Sequence, residues 1–236
     1  MNDFARLLKK RMEERGFSLD SRQLAQFDIY RRELIDWNEK TNLTSLTEDP
    51  DIIDKHFVDS LLVIRYVSPE RGLRIADVGT GAGFPGIPIK IYRPDIRLSL
   101  LESVGKKAGF LEHIALKLEL ENVDVINDRA EIVGRSPEHR EKYDLVVARC
   151  LARLPVLVEY CLPLLSVNGE FVAYKGSEAE AEIREAGTAL EELGGRFTRL
   201  EYDRYAGSRV LVFIEKVKKT PDKYPRRPGI PRKRPL

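Results

Sequence analysis

Apolar residues in the first 67 positions recur at helical spacing, and from residue 73 onward they gather into short runs separated by helical stretches. Phe4, Leu7, Leu8 and Met12 share one face of a helix over residues 2–16, as three- and four-residue spacing requires. Leu24, Phe27, Tyr30, Leu34, Ile35 and Trp37 mark a second helix over about 20–40, with cap residues between Ser18 and Ser21. Asp49-Pro50 reads as an N-cap followed by a first-turn proline, opening a third helix to about Val67. Between the second and third helices, Asn38 to Ser45 is a polar loop. Beyond them, strands are expected over 73–78, 97–102, 123–128, 143–149, 169–175, about 196–202 and 208–217. Helices are expected over 85–92, 105–120, about 152–166 and 177–193.

Four strand–helix units in succession predict a largely parallel sheet covered on both faces. The last two strands are linked only by the turn-like Asp203 to Gly207, so they should pair as an antiparallel hairpin. A parallel sheet ending in such a hairpin is the class I methyltransferase pattern. The expected fold is therefore α/β: a Rossmann-like, mostly parallel seven-stranded sheet with helices on both faces and an N-terminal helical extension. Three regions are expected: the extension over 1–68, a cofactor-binding domain over 69–217 and a C-terminal arm over 218–236.

Composition narrows the class. Hydrophobic residues make up 42% of the 236 positions, enough for a real core, and no apolar run is long enough to span a bilayer. The opening Met1-Asn2-Asp3-Phe4-Ala5-Arg6 lacks a signal peptide's apolar segment. A cytoplasmic protein, monomeric by default and without a membrane partner, is expected. Cys150 and Cys161 match no metal spacing and sit in apolar surroundings, so both are expected as buried free thiols. His56, His113 and His139 form no cluster, and no metal site is expected.

Charge is uneven. Residues 218–236 hold eight Lys/Arg and one acid, a net +7; with the whole chain at +2, residues 1–217 carry about −5. Five prolines in the same stretch argue against a helix and for an extended, semi-rigid arm. A basic arm on an acidic body suits nucleic-acid phosphates, although a solvated tail without a partner has the same composition.

The most specific chemistry lies in Asp77-Val78-Gly79-Thr80-Gly81-Ala82-Gly83-Phe84-Pro85-Gly86, between an apolar strand and a helix. Glycines let a backbone approach a ligand closely, and a helix start offers free amides. The spacing Gly81-x-Gly83-x-x-Gly86 matches the dinucleotide fingerprint. Asp77 would crowd a pyrophosphate, however, and Pro85 and Pro88 remove amides that would cradle one. S-adenosylmethionine fits better: an aspartate tolerates its cationic head and glycine amides can bind its carboxylate.

Ligands of doubly wound sheets sit at the carboxyl ends of the strands. That rule adds Glu102 for ribose hydroxyls, Ala130 and Glu131 in the loop after the third strand for an adenine edge, and Arg149 after the fourth strand. Arg149 should emerge at the cleft mouth. There it could stack on adenine, pair with Asp77 or the cofactor carboxylate, or hold an RNA phosphate. Lys175 ends the fifth strand in a similar place. Arg149 and Lys175 are the candidate catalytic residues. Lys106, Lys107, Arg226, Arg227, Arg232, Lys233 and Arg234 are the candidate RNA contacts. The residues alone leave three classes open: an RNA methyltransferase, a small-molecule methyltransferase, and a binding module without chemistry.

The chain resembles the bacterial small-subunit ribosomal RNA methyltransferase G (glucose-inhibited division protein B) family over nearly its whole length. The resemblance is carried by Trp37 to Thr44, His56 to Leu61, Asp77 to Pro88, Ser103 to Leu111, Arg129-Ala130-Glu131, Ala148 to Ala152, Tyr174-Lys175-Gly176 and Tyr224 to Pro231. Lys107 stands where arginine is usual and Cys150 where alanine is usual. The resemblance implies methyl transfer from S-adenosylmethionine to N7 of one guanine in 16S ribosomal RNA, free or within the small subunit. It also implies cofactor contacts at Gly79, Phe84, Ala130, Glu131 and Arg149. Asp77, Gly81 and Glu102 join that set from the strand-end argument.

Overall fold

The computed structural model describes residues 1–67, 72–203 and 209–236. The expected boundary at 68/69, residue 208 of the last strand and the turn at 204–207 lie outside the described residues.

Helix α1 (Asp3–Glu14) starts where the Asn2 side chain accepts from the Ala5 amide. Helix α2 (Ser21–Thr41) carries a full capping box between Asp20 and Gln23. The third helical stretch runs over residues 49–65 in mixed geometry: α3 (Asp49–Asp51), a π-helical turn (Ile52–Val58), α4 (Asp59–Leu61) and a 3-10 turn (Leu62–Arg65). Its N-cap is Glu48 rather than Asp49, and Asp49 and Pro50 form the first turn. Proline needs no amide partner there, so the helix begins one residue earlier than the motif implied.

The α/β body follows. Strands β1 (Arg74–Val78), β2 (Arg97–Leu101), β3 (Val123–Ile126), β4 (Tyr143–Arg149) and β5 (Leu165–Lys175) alternate with helices α5 (Gly86–Tyr92), α6 (Gly105–Lys117), α7 (Ala130–Val133) and α8 (Leu154–Cys161). Helices α9 (Ala179–Glu185) and α10 (Gly187–Leu193) precede strands β6 (Gly195–Tyr202) and β7 (Val210–Lys216), and α11 (Ile230–Lys233) lies near the C-terminus. The sheet order is β3-β2-β1-β4-β5-β7-β6, parallel through β5, with β7 antiparallel to both β5 and β6. Strand order reverses between β1 and β4, which sets the ligand side at the carboxyl ends of those strands.

Side-chain alternation sends each strand's residues to two separate cores. Ile75, Leu98, Leu145, Val147 and Val172 pack with Leu8, Tyr30, Leu34 and Phe57, so the N-terminal helices and one sheet face share a single apolar core. Ala76, Val78, Val146, Ala148 and Phe171 pack on the opposite face against Leu157, Val158, Leu190 and Leu193.

Several expectations change. The helix expected over 152–166 is shorter, and β5 takes its last residues, with Asn168 at φ 70°. The helix expected over 177–193 divides at Ala186-Gly187. Cys161 is buried as expected, but Cys150 is exposed: the chain leaves β4 there at φ 55°, so strand alternation no longer directs its side chain. The largest change is the tail. It is packed against the body, with Tyr224 and Pro231 buried, and it includes α11. Pro228 falls in a turn and Pro231 at the second position of α11, where no amide is needed, and the other three prolines lie outside regular elements.

Candidate functional site

A cavity of about 220 Å³ opens at the carboxyl ends of β1 and β2 and beside the β3–α7 loop. Val78 and Gly79, Leu101 and Ser103, and Asp128 to Glu131 form three sides; Leu151, Ala152 and Tyr160 with Gly229 and Arg232 complete it. Pockets that enclose drug-sized ligands measure ~300–1,000 Å³, so this cavity suits one end of a nucleoside-sized molecule. Gly79 is at φ +68°, and a Cβ there would come within 2.6 Å of Leu151 Cδ1. Only glycine keeps the backbone this close to the wall.

The rim of the glycine turn is held by acids. Glu102 accepts from the Gly81 amide at 3.0 Å and from the Val104 amide at 2.8 Å, and its own carbonyl accepts from Asn127 Nδ2. Its carboxylate therefore ties the ends of β1 and β2 together at the site of the expected ribose contact. Asp77 is fully buried behind the turn. Its Oδ2 accepts from Thr80 Oγ1 at 2.6 Å and from the Gly86 amide at 2.7 Å, closing the turn onto α5. Gly86 is required at that distance, since a Cβ would lie 2.8 Å from the same oxygen. Asp77 Oδ1 has no hydrogen-bond partner, and burial pushes the carboxyl up to about 6.

Phe84 and Arg149 lie on the other face of the sheet. Phe84 is buried, stacked between Tyr30 at 5.3 Å and His56 at 4.4 Å. Tyr30 OH donates to the Ala82 carbonyl at 2.6 Å, so α2 supports the glycine turn directly. Arg149 does not emerge at the cleft mouth. It donates to Asp59 Oδ2 at 2.8 Å and to the Lys55 carbonyl at 3.1 Å, with its guanidinium 5.0 Å from the Phe84 ring centre. Asp59 is 2% exposed and also accepts from Arg209 Nε at 2.6 Å. A guanidinium next to a buried carboxylate turns inward because the pair replaces the water each would lose. His56 bridges to Thr44 Oγ1 at 2.8 Å, and burial, aided by the Arg149 charge, lowers it to about 4.

Lys175 is committed as well. Its ammonium lies 2.5 Å from Glu182 and donates to the Ala152 carbonyl, so it braces a residue of the cavity wall. Glu131, on that wall and 5% exposed, accepts from the Gly229 amide at 2.8 Å. Arg226 forms a two-pronged pair with Glu159, at 2.6 Å from Nη2 and 2.9 Å from Nε, and so is turned into the protein rather than outward. Lys106, Arg227, Arg232, Lys233 and Arg234 are exposed and Lys107 is half-buried.

The structure thus brings Gly79, Ala130 and Glu131 together with Gly81 and Glu102 at the rim, and sets Asp77, Phe84 and Arg149 behind them. Sequence reasoning gave no site role to Arg209, Tyr160 and Glu159, nor to Asp59 and Leu151, which fall inside the segments that carry the resemblance. One of these left a signal: Glu159 is the single acid in the apolar helix Leu154–Cys161, and a buried charge needs a partner.

The walls suit an adenosyl group. Val78, Leu101, Leu151 and Tyr160 bring carbon surface and Asp128 and Glu131 bring carboxylates to the same cavity, and Asp77 Oδ1 is left without a hydrogen-bond partner behind the turn. A family model described as GidB: rRNA small subunit methyltransferase G matches residues 23–202. The chain is 46% identical over 228 residues to the ribosomal RNA small subunit methyltransferase G of a Geobacillus species, covering 95% of this chain and 96% of that one. It is 47% identical to the Halalkalibacterium halodurans protein of the same name, covering 97% of each. Among solved structures, the chain resembles a SAM-dependent methyltransferase from Aquifex aeolicus, with TM-score 0.55, 18% identity and coverage of 71% and 94%. It also resembles M. jannaschii TYW2 in complex with AdoMet, with TM-score 0.55, 15% identity and coverage of 73% and 80%. These two likenesses establish the class I methyltransferase fold.

Proposed function

The chain belongs to the rRNA small subunit methyltransferase G family, and from that premise we propose that it methylates N7 of one guanine in 16S ribosomal RNA, with the cavity at the ends of β1–β3 as its donor site. It is an S-adenosylmethionine-dependent methyltransferase acting on small-subunit ribosomal RNA. The observation that carries the donor-site reading is the convergence of Gly79, Ala130 and Glu131 on one cavity, with Glu102 pinning the glycine turn at its rim. S-adenosylmethionine supplies an activated methyl group when bound. Val78, Leu101, Leu151 and Tyr160 would enclose its adenine, and the loop residues Asp128 to Glu131 would meet its edge.

Guanine N7 carries a lone pair and no proton, so the acceptor needs no general base. The ionisable groups around the site fit that requirement: Arg149 and Lys175 are paired to Asp59 and Glu182. In this reading they act by fixing the turn and the wall, and the rate comes from alignment and water exclusion. The base becomes cationic as the sulfonium becomes neutral, so the transfer moves one positive charge and creates none.

Lys106 and Lys107 open α6 just past Ser103, while Gly229 and Arg232 approach from the tail, so cationic side chains flank the cavity on two sides. We assign RNA phosphate contacts to Lys106, Lys107, Arg227, Arg232, Lys233 and Arg234. Arg226 instead anchors the tail. The reaction is expected in the cytoplasm with the chain as a monomer; no helix among the described residues is long and apolar enough to cross a membrane. The division into 1–68, 69–217 and 218–236 is kept as roles: the first braces the glycine turn, the second holds the donor, the third flanks it. Mass mapping of small-subunit RNA from cells with and without this protein tests the reading. One N7-methylguanosine should disappear with the protein; an unchanged map, or loss of a methyl from another atom, overturns it.

A further inference from the structure

We propose that the C-terminal segment is a wall of the donor pocket, so that cofactor binding and tail docking strengthen each other; this rests on reading the cavity as the S-adenosylmethionine site. The segment is fastened along its length. Arg140 donates to the carbonyls of Thr220 at 2.7 Å and Tyr224 at 2.9 Å, and Arg135 to those of Pro225 at 2.7 Å and Lys223 at 2.9 Å. Arginines therefore serve as partners for backbone carbonyls that proline-rich chain cannot pair with itself. Next along the chain, Arg226 grips the buried Glu159 through both its side chain and its own amide. A last fastening, the Gly229 amide on Glu131, lies at the cavity itself, where Gly229 and Arg232 line the space alongside Glu131.

Glu131 is the link. It belongs to the cavity wall and also holds the tail, so the same carboxylate is part of both surfaces. A ligand that touches Gly229 or Arg232 binds the docked form better than the open form, and by linkage stabilises docking. The basic residues of this segment would then report cofactor occupancy to the RNA strand they contact.

Two measurements test this. Trypsin can cut the Arg226–Arg227 bond only when the docked segment opens, and its rate follows the open population when closing is fast. Saturating S-adenosylhomocysteine should slow that cut at least about fivefold in the intact chain. A chain ending at Pro228 keeps the Arg226–Glu159 anchor but loses the cavity wall. Its calorimetric affinity for S-adenosylhomocysteine should fall about tenfold while its ligand-free thermal midpoint stays within about 2 °C. Arg232→Ala, which keeps every backbone fastening, should weaken the same affinity about threefold. Affinities within about twofold of the intact chain in both variants, with tail cleavage indifferent to ligand, overturn the proposal. If the intact chain fails to bind S-adenosylhomocysteine at all, the donor-site reading itself falls.

Discussion

The two faces of the sheet differ in whether all of their buried charges are closed within the protein or some are left at a cavity. Beneath the N-terminal helices, Asp59 is shared by Arg149 and Arg209, His56 is wedged against Phe84, and Asp77 closes the glycine turn from behind. These groups are buried or nearly so, and nearly all of their polar atoms are engaged by protein. The other face has closed pairs too, Lys175–Glu182 and Arg226–Glu159, but there Glu131, Asp128 and Arg232 also border open space. A closed network fixes shape, and an open one is available to a ligand. Residues that the family resemblance singled out fall on both sides, so prominence in a motif does not distinguish a contact from its support.

The sharpest way to break this contrast is Asp59→Ala. It leaves Arg149 and Arg209 without their shared carboxylate, and breaking such a buried pair costs about 3–5 kcal/mol. For a chain of this length the thermal midpoint should fall on the order of 10 °C. Calorimetry in the cold should find donor affinity changed less than about threefold, because Asp59 lies outside the cavity wall. Unchanged stability would remove the network from its structural role.

The closed side also has an acid–base signature. His56 is held neutral down to about 4, below its usual 6.5. The unfolded chain protonates first on acidification, so His56 subtracts stability as pH falls from about 6.5 toward 4. Asp77 has the opposite sign. Its carboxyl keeps a proton up to about 6 in the folded chain, above its usual 3.8, so it subtracts stability as pH rises from about 4 to 6. The two slopes oppose each other in the shared window. His56→Gln should expose the Asp77 slope and Asp77→Asn the His56 slope, each amounting to about 3 kcal/mol across its window at most. Urea unfolding from pH 4 to 7 measures both; variants with the wild-type slope would mean that neither group titrates with folding.

On the open side, Gly79→Ala places a methyl group against Leu151 at a positive φ. The backbone strain is about 1–2 kcal/mol, and Leu151, which lines the cavity, must shift to admit the methyl group. Donor affinity should drop at least about tenfold, while the thermal midpoint falls only a few degrees. The pattern is the reverse of Asp59→Ala, and equal effects on affinity and stability would erase the distinction between the faces.

Much of this architecture could be read directly from the chain, for local reasons. Runs such as Leu145 to Ala148 are apolar, and Leu98 to Leu101 is apolar but for Ser99, because both sheet faces are covered, and the glycine turn announces itself through four glycines in eight residues. The networks were not legible because their partners are distant in sequence. Asp59 and Arg209 are 150 residues apart, and Glu131 and Gly229 are 98 apart. An arginine after an apolar strand looks the same whether it faces a cleft or a buried aspartate. The tail misled for a related reason: prolines exclude a long helix, but they say nothing about whether Glu159, Arg135 and Arg140 wait to receive the chain.

The gentlest test separates basic residues that face solvent from one that does not. Removing a side chain that neutralises one phosphate should reduce the slope of log affinity against log salt by about 0.7–0.9. Lys106→Ala and Lys107→Ala should each do so in binding to small-subunit RNA, with affinity lower by only a few-fold at moderate salt. Arg226→Gln combined with Glu159→Gln removes this cation and its buried partner together, so no uncompensated charge is left inside the protein. The salt slope should match the unmodified chain, since this charge already has a partner inside the protein. If that double substitution flattened the slope as much as Lys106→Ala, the ion pair with Glu159 would have to open when RNA binds, and the tail would be a mobile contact rather than a wall.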